Sequence, residues 1–120
     1  MGNLDNITQK GASLVFGGKK LRMVFINRAI QYLKEKHGGF RKAIQSIDDE
    51  NGEVDFAVLT DVLYAGLMVN KDPEITLDWI RSILDDLDLF ETKEIATTHL
   101  IAALTGAYPE ADKKDGGPKN

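Results

Sequence analysis

One stretch of the chain is apolar around nearly its whole circumference when it is drawn as a helix. Of the fourteen residues from Phe56 to Val69, only Thr60 and Asp61 are strongly polar. A helix with this pattern is central in its fold or is shared with a partner. Gly66 lies inside the stretch, where glycine is about 1 kcal/mol less favourable than alanine, which favours the close approach of another backbone. The rest of the chain must therefore cover this helix, or a partner must.

Two short strands are predicted before this helix, from Ser13 to Phe25 with a turn at Gly17-Gly18. Leu14 and Phe16 alternate onto one side of the strand before the turn, and Leu21, Met23 and Phe25 do so after it. A glycine pair supplies the positive φ that a tight hairpin turn needs. Because a lone two-stranded hairpin is only marginally stable, we expect this one to pack on helices.

Apolar periodicity and capping residues predict four more helices. The expected fold is mainly α, a small bundle of four to five helices with a short N-terminal β-hairpin. The predicted helices run from Asn27, as N-cap, to about His37 before Gly38-Gly39; from Phe40 to Ile47; from Phe56 to Val69 with Asp55 as N-cap; from Pro73 or Leu77 to Leu89; and from Thr92, as N-cap, to Gly106.

The length of 120 residues is the usual size of one domain. We predict a flexible N-terminal arm at residues 1–11, a single helical domain with its hairpin at residues 12–108, and a disordered, charged tail at residues 109–120. The chain has no cysteine, which excludes a disulfide framework and a thiolate nucleophile. No apolar run approaches the roughly 20 residues that span a bilayer, so no membrane association is expected.

Charge is unevenly distributed along the chain. Residues 1–45 hold nine Lys and Arg and two acids, a net charge of +7, and residues 46–120 hold six bases and seventeen acids, a net charge of −11. The basic third could bind nucleic acid, the two parts could pair within one fold, or they could pair head to tail between copies. Nucleic acid is the least favoured partner, because the overall charge is negative and no aromatic-basic motif accompanies the cations.

The segment from Asp49 to Phe56 is similar to the second half of an EF-hand calcium loop. If Gly52 is the sixth loop position, Ile47 and Val58 occupy the first and twelfth positions, where calcium needs carboxylates. The alternative is an acidic turn that leads into an Asp55 cap, and we favour it. His37 and His99 lack a second histidine at metal spacing, so structural roles are predicted for both. No metal, cofactor or catalytic residue is assigned, and we do not expect an enzyme.

The apolar surplus of the 56–69 helix gives the candidate binding site. Its large side chains exceed what one core face needs, so they either lie inside the fold or form a docking groove. Methionine and tyrosine suit adaptable contacts with apolar helices. The candidate partner-binding residues are Leu59, Leu63, Tyr64, Leu67 and Met68.

The order of these elements resembles the tail assembly chaperones of long-tailed siphophages. The resemblance covers roughly residues 12–108. It lies in the hairpin from Ala12 to Phe25 with its Phe16-Gly17-Gly18-Lys19 turn, the helix that begins Asn27-Arg28-Ala29-Ile30, the stretch Leu63-Tyr64-Ala65-Gly66-Leu67, the segment Asp72-Pro73-Glu74-Ile75-Thr76, the helix through Trp79, and the closing helix around Leu100 to Leu104.

The resemblance implies a bacteriophage protein that acts in the host bacterial cytoplasm and is absent from the mature virion. Such chaperones bind the long, hydrophobic tape measure protein, keep it soluble and are thought to recruit tail tube subunits. Members can self-associate, and many are also made in a longer, frameshifted form. The family has no catalytic residues. The alternatives are a structural subunit retained in a phage particle and, less favoured, a degenerate EF-hand-like module.

Overall fold

The computed structural model describes residues 12–105. The arm predicted at residues 1–11, the tail predicted at residues 109–120 and the end of the predicted domain at residues 106–108 lie outside the described residues. Within the described part, the chain forms an antiparallel β-hairpin followed by five helices, so the predicted fold class is confirmed. One cluster of buried apolar side chains joins the hairpin to the helices.

The hairpin consists of β1 (Ala12–Phe16) and β2 (Lys19–Met23), in register from Ala12 opposite Met23 to Phe16 opposite Lys19. Gly17 and Gly18 have φ values of 62° and 79°, as the glycine pair predicted. Alternate residues of β1 are buried, because one face of the hairpin covers the helices and the other faces solvent.

The helices are α1 (Asn27–His37), α2 (Phe40–Gln45), α3 (Phe56–Leu67), α4 (Leu77–Asp86) and a last helix in two α-helical parts. The last helix comprises α5 (Leu89–Glu94), a π turn (Ile95–His99) and α6 (Leu100–Thr105), and its backbone stays helical across both junctions. A 3₁₀ turn (Met68–Asn70) follows α3. No helix among residues 12–105 is long and apolar enough to cross a membrane.

Three predicted helix ends are confirmed. Asp55 caps α3 by accepting hydrogen bonds from the N–H groups of Ala57 and Val58, at 3.1 and 3.2 Å. Gly38 ends α1 with a φ of 83°. Thr76 caps α4 by accepting a hydrogen bond from the N–H of Trp79 at 3.1 Å, which fixes its start at Leu77 rather than Pro73.

Three predicted helix boundaries are wrong. Asn27 is the first residue of α1 rather than its N-cap, since Ile26 takes that position without a side-chain hydrogen bond. α4 ends at Asp86 rather than at Leu89, because Asp88 is the N-cap of the last helix. Asp88 and Glu91 form a capping box, in which each side chain accepts a hydrogen bond from the backbone N–H of the other residue. Thr92, predicted as the cap, is instead buried one turn inside and donates its hydroxyl hydrogen to the Asp88 carbonyl at 2.9 Å.

α3 lies at the centre of the fold. The hairpin, α1, α2 and α4 all contact it. The N–H of Val24, just after β2, donates a hydrogen bond of 2.9 Å to the carbonyl of Gly66, one of the last carbonyls of α3 and therefore without a partner in the helix. A Cβ at Gly66 would lie 2.7 Å from the Cγ of Met23, so the predicted close approach at this glycine is confirmed.

The side chain of Asn70 forms hydrogen bonds that join the end of α3 to β2. Its side-chain amide donates to the carbonyls of Arg22 and Leu67, at 2.8 and 3.0 Å, and its oxygen accepts from the N–H of Arg22 at 3.2 Å. The other end of the hairpin packs on α4, where the Phe16 and Trp79 rings meet edge to face at a centroid distance of 5.7 Å. The hairpin is therefore held at both ends.

The two turn glycines allow a matched test of how tightly the turn packs on α4. A Cβ at Gly17 would lie 2.7 Å from the Trp79 ring and would also overlap Ile83, whereas a Cβ at Gly18 would have nothing within 4 Å. Both substitutions to alanine carry a similar penalty of roughly 1 kcal/mol for positive φ. We expect Gly17→Ala to lower the free energy of unfolding by about 1–3 kcal/mol more than Gly18→Ala, because only the first overpacks the turn.

Urea denaturation of both variants measures this difference. Equal losses of unfolding free energy would contradict the packing of the turn against Trp79 and Ile83.

Candidate functional site

The structure divides the five predicted partner-binding residues into two groups. Leu59, Leu63 and Leu67 are at most 1% exposed, so they belong to the core of the single chain. Tyr64 and Met68 are only partly buried. Of the two alternatives stated for this helix, a position inside the fold is the one that the three leucines take, because the hairpin and the other helices cover α3 from several sides.

Tyr64 and Met68 line an open cleft of about 430 Å³, which we call the Tyr64 cleft. It lies between the start of α1, the end of α3 and the loop that leads to α4. Leu67 reaches its floor although that side chain is nearly covered. The lining residues are Arg28, Tyr64, Leu67, Met68, Lys71, Asp72, Pro73, Ile75 and Thr76.

A layer of polar side chains behind the cleft fixes Tyr64. The rings of Tyr32 and Tyr64 pack with centroids 5.2 Å apart. The Tyr32 hydroxyl donates to Asp61 Oδ1 at 3.3 Å, and Asp61 Oδ2 lies 2.8 Å from Nε2 of His37. This contact gives His37 the structural role predicted for it, and it explains why a carboxylate occurs in the otherwise apolar α3.

The loop beneath the cleft is held by ion pairs to the hairpin. Lys19 Nζ lies 2.7 Å from Asp72 Oδ2 and also pairs with Glu74. The hydrogen bond from Lys19 lowers the pKa of the Asp72 carboxyl, and the same bond raises the pKa of Lys19. Lys19 Nζ also lies 5.8 Å from the centre of the Trp79 ring. The cleft wall is thereby tied to β2 and α4.

Two cations line the cleft without an acidic partner. Neither Arg28 nor Lys71 forms an ion pair with any residue between 12 and 105, and both are exposed. Lys71 has a φ of 51°, which places it in the left-handed region that a non-glycine residue seldom adopts. The lining of the cleft therefore combines apolar side chains with two cations that have no ion-pair partner among residues 12–105.

A second apolar surface was not predicted from the sequence. Phe56 and Leu89 line a cleft of about 310 Å³ together with Val54, and they are 41% and 70% exposed. The adjacent Phe90 is 73% exposed. We call Val54, Phe56 and Leu89 the Leu89 patch. Sequence reasoning placed Leu89 at the end of α4, and the signal that could have corrected this is the Asp88-to-Glu91 capping pattern.

The acidic segment before α3 is a closed turn. Asp49 Oδ1 accepts hydrogen bonds from the N–H groups of Asn51 and Glu53, at 2.8 and 2.9 Å, and Asp48 pairs with Val54 in an isolated β-bridge. Asp55 is occupied as the α3 cap. Between residues 12 and 105, no group of three or more His, Asp or Glu side chains is placed to hold a metal ion.

Few of the charged side chains in residues 12–105 form ion pairs with one another. The ion pairs among residues 12–105 are those of Lys19 with Asp72 and Glu74 and of His37 with Asp61. Lys34, Arg41 and Lys42 on α1 and α2 are exposed and form no ion pair in this part of the chain. Between residues 12 and 105, few of these basic and acidic side chains are thus paired directly with one another.

Comparison of the chain with protein-family models, with curated proteins and with solved structures finds no match.

Tyr32 gives the polar layer a defined response to alkaline pH. Burial, followed by the nearby Asp61 charge, raises the pKa of Tyr32 well above its ordinary value of 10.0. Below pH 10 the phenol is neutral in both the folded and the unfolded chain. Above pH 10 the unfolded chain loses this proton first, so the free energy of unfolding should fall, by less than the roughly 1.4 kcal/mol per pH unit of a fully buried group because solvent screens the half-buried Tyr32.

We expect the Tyr32→Phe variant to lose less stability than the wild type between pH 10 and pH 11. Urea denaturation at both values measures the difference, and Tyr64→Phe is the matched control for loss of a phenol. Parallel stability losses in the wild type and Tyr32→Phe would contradict the buried, neutral phenol.

Proposed function

We propose that this protein is a phage tail assembly chaperone that binds apolar helical segments of the tape measure protein and keeps them soluble. The observation that carries the proposal is the Tyr64 cleft, which leaves Tyr64 and Met68 partly exposed above an apolar floor. The resemblance of residues 12–108 to siphophage chaperones supports the choice of client. The tail tube protein is a possible further partner.

The size of the cleft is consistent with weak binding by each copy. A client contact of a few hundred Å² of apolar surface would contribute several kcal/mol at about 25 cal/mol per Å². Association and side-chain ordering oppose most of this gain, so the net affinity of one copy is low. Many copies along one long client then bind by multivalency, and weak single contacts allow later displacement by tail subunits.

Co-expression tests the client. Fragments of the tape measure protein from the same phage should remain in the soluble fraction when this protein is present and should precipitate without it. Equal precipitation in both cases would overturn the proposal. Proteomics of finished particles separates a chaperone, which is absent from them, from the alternative of a retained structural subunit.

Two charge insertions locate the client site. Met68→Glu places a carboxylate in the Tyr64 cleft, and Leu89→Glu places one on the Leu89 patch. We expect Met68→Glu to abolish most of the solubilising effect and Leu89→Glu to preserve it, because desolvating a charge opposes apolar contact. Both positions are partly or largely exposed, and circular dichroism checks that each variant is folded. The reverse result would assign the client to the Leu89 patch.

We also propose that copies associate head to tail. The exposed cations of α1 and α2 lack partners within residues 12–105, whereas α4 and α5 carry exposed acids such as Asp85, Asp86 and Glu91. Contact between two different faces generates rings or open spirals rather than closed twofold dimers.

Sedimentation at several concentrations tests this association. The average mass should rise with concentration at low salt and fall toward that of the 13.3 kDa monomer at about 0.5 M salt, where the screening length is only a few Å. A monomer at every concentration in low salt, or a twofold dimer indifferent to salt, would contradict it.

A further inference from the structure

The Tyr64 cleft carries a charge pattern that narrows what it can bind. Its lining mixes apolar and polar side chains: Met68 is partly exposed, Leu67 and Ile75 are nearly covered, and Arg28 and Lys71 also line it. We propose that the cleft selects apolar helical segments that carry glutamate or aspartate beside their apolar face. This proposal rests on the proposed function and adds the charge of the client.

The two cations are available to a ligand because the neighbouring acids do not neutralise them. Asp72, the carboxylate that lines the cleft, lies 2.7 Å from Lys19 Nζ and is engaged there. Glu74 is bound by the same lysine. Lys19 thus engages both carboxylates and offsets one of their two negative charges, and Arg28 and Lys71 form no ion pair with any residue between 12 and 105.

The loop that carries Lys71 is firmly positioned. The Lys71 N–H donates to the Met68 carbonyl at 3.0 Å, and Asn70 before it is bonded to β2 and to the end of α3. A left-handed backbone is less favourable at lysine than at glycine, and the surrounding hydrogen bonds hold it in place. The cation therefore has a fixed attachment point at the edge of the cleft.

The volume of the Tyr64 cleft limits the size of the groups that can enter it. A helix with its side chains is about 10–12 Å across, so a cleft of about 430 Å³ takes side chains from a helix lying over it rather than the helix itself. Residues three or four apart on such a helix share one face. Apolar side chains can enter the cleft while an acid one turn away reaches Arg28 or Lys71, where the guanidinium of Arg28 can bind a carboxylate through two hydrogen bonds.

Three labelled peptides of equal length test the selection. They share one helical apolar face, and the two positions that flank it are glutamate, glutamine or lysine. Fluorescence anisotropy should show the glutamate peptide binding about two- to fivefold more tightly than the glutamine peptide for each ion pair formed, and the lysine peptide binding most weakly. The formal net charge of the protein is −4, so its overall field favours the opposite order.

Matched variants assign the effect to the cleft. The double variant Arg28→Gln with Lys71→Gln should lose the preference for the glutamate peptide. The double variant Lys20→Gln with Arg81→Gln removes two exposed cations that lie outside the cleft, α1 and α2 and that form no ion pair within residues 12–105, so it should keep the wild-type ratio. Lys71→Glu should shift the preference toward the lysine peptide, which a merely structural role for Lys71 would not produce.

The remaining outcomes overturn defined parts of the proposal. If the wild-type protein binds all three peptides equally and Met68→Glu binds none of them, the cleft is the apolar binding site but does not select acidic segments. That result would overturn the charge selection. No binding of any peptide would overturn both. If the Arg28 and Lys71 variants alter sedimentation and leave the peptide ratios unchanged, the two cations serve a second copy of the chain. A glutamate preference that appears only after residues 106–120 are removed would assign the cleft to that segment.

Discussion

The burial of α3 is the interaction on which the rest of the structure depends. Its side chains face neighbours on several sides, and its last turn approaches β2 so closely that Gly66 leaves no room for a methyl group. The hydrogen bond from Val24 to the Gly66 carbonyl satisfies a helix-end acceptor and sets the position of the hairpin. With the hairpin fixed, Lys19 reaches the loop after α3, and the walls of the Tyr64 cleft are defined.

The two strongly polar side chains of α3 each have a defined hydrogen-bond partner in the packed fold. The Thr60 hydroxyl donates to the Phe56 carbonyl at 2.7 Å within the same helix, so this buried group is satisfied locally. The Asp61 carboxylate instead faces α1, where it accepts a hydrogen bond from the Tyr32 hydroxyl and contacts Nε2 of His37. These contacts place the Tyr32 ring against Tyr64, so a polar layer inside the fold orients an aromatic side chain that faces the cleft.

Much of the fold was predictable because its signals are local. The Gly17-Gly18 turn, the Asp55 cap and the Gly38 stop each depend on a few neighbouring residues, and all three are confirmed. The site was less predictable, because periodicity shows that a helix has apolar residues on every side but not which sides neighbours cover. Leu59 and Leu63 are covered, Met68 is partly open, and Leu89 was assigned to the wrong helix although it is among the exposed apolar residues.

The π turn in the last helix has a geometric consequence for its two halves. In a regular α-helix, residues five apart point in directions about 140° apart, so Ile95 and Leu100 would face different neighbours. The wider π turn brings residues five apart nearly into line, and both side chains are buried, at 8% and 3% exposure. Deleting a single residue here would restore regular winding and leave the two side chains four positions apart, about 40° from one another, so α6 would still face the core. The π turn thus accommodates one additional residue in the helix without turning α6 away from its neighbours.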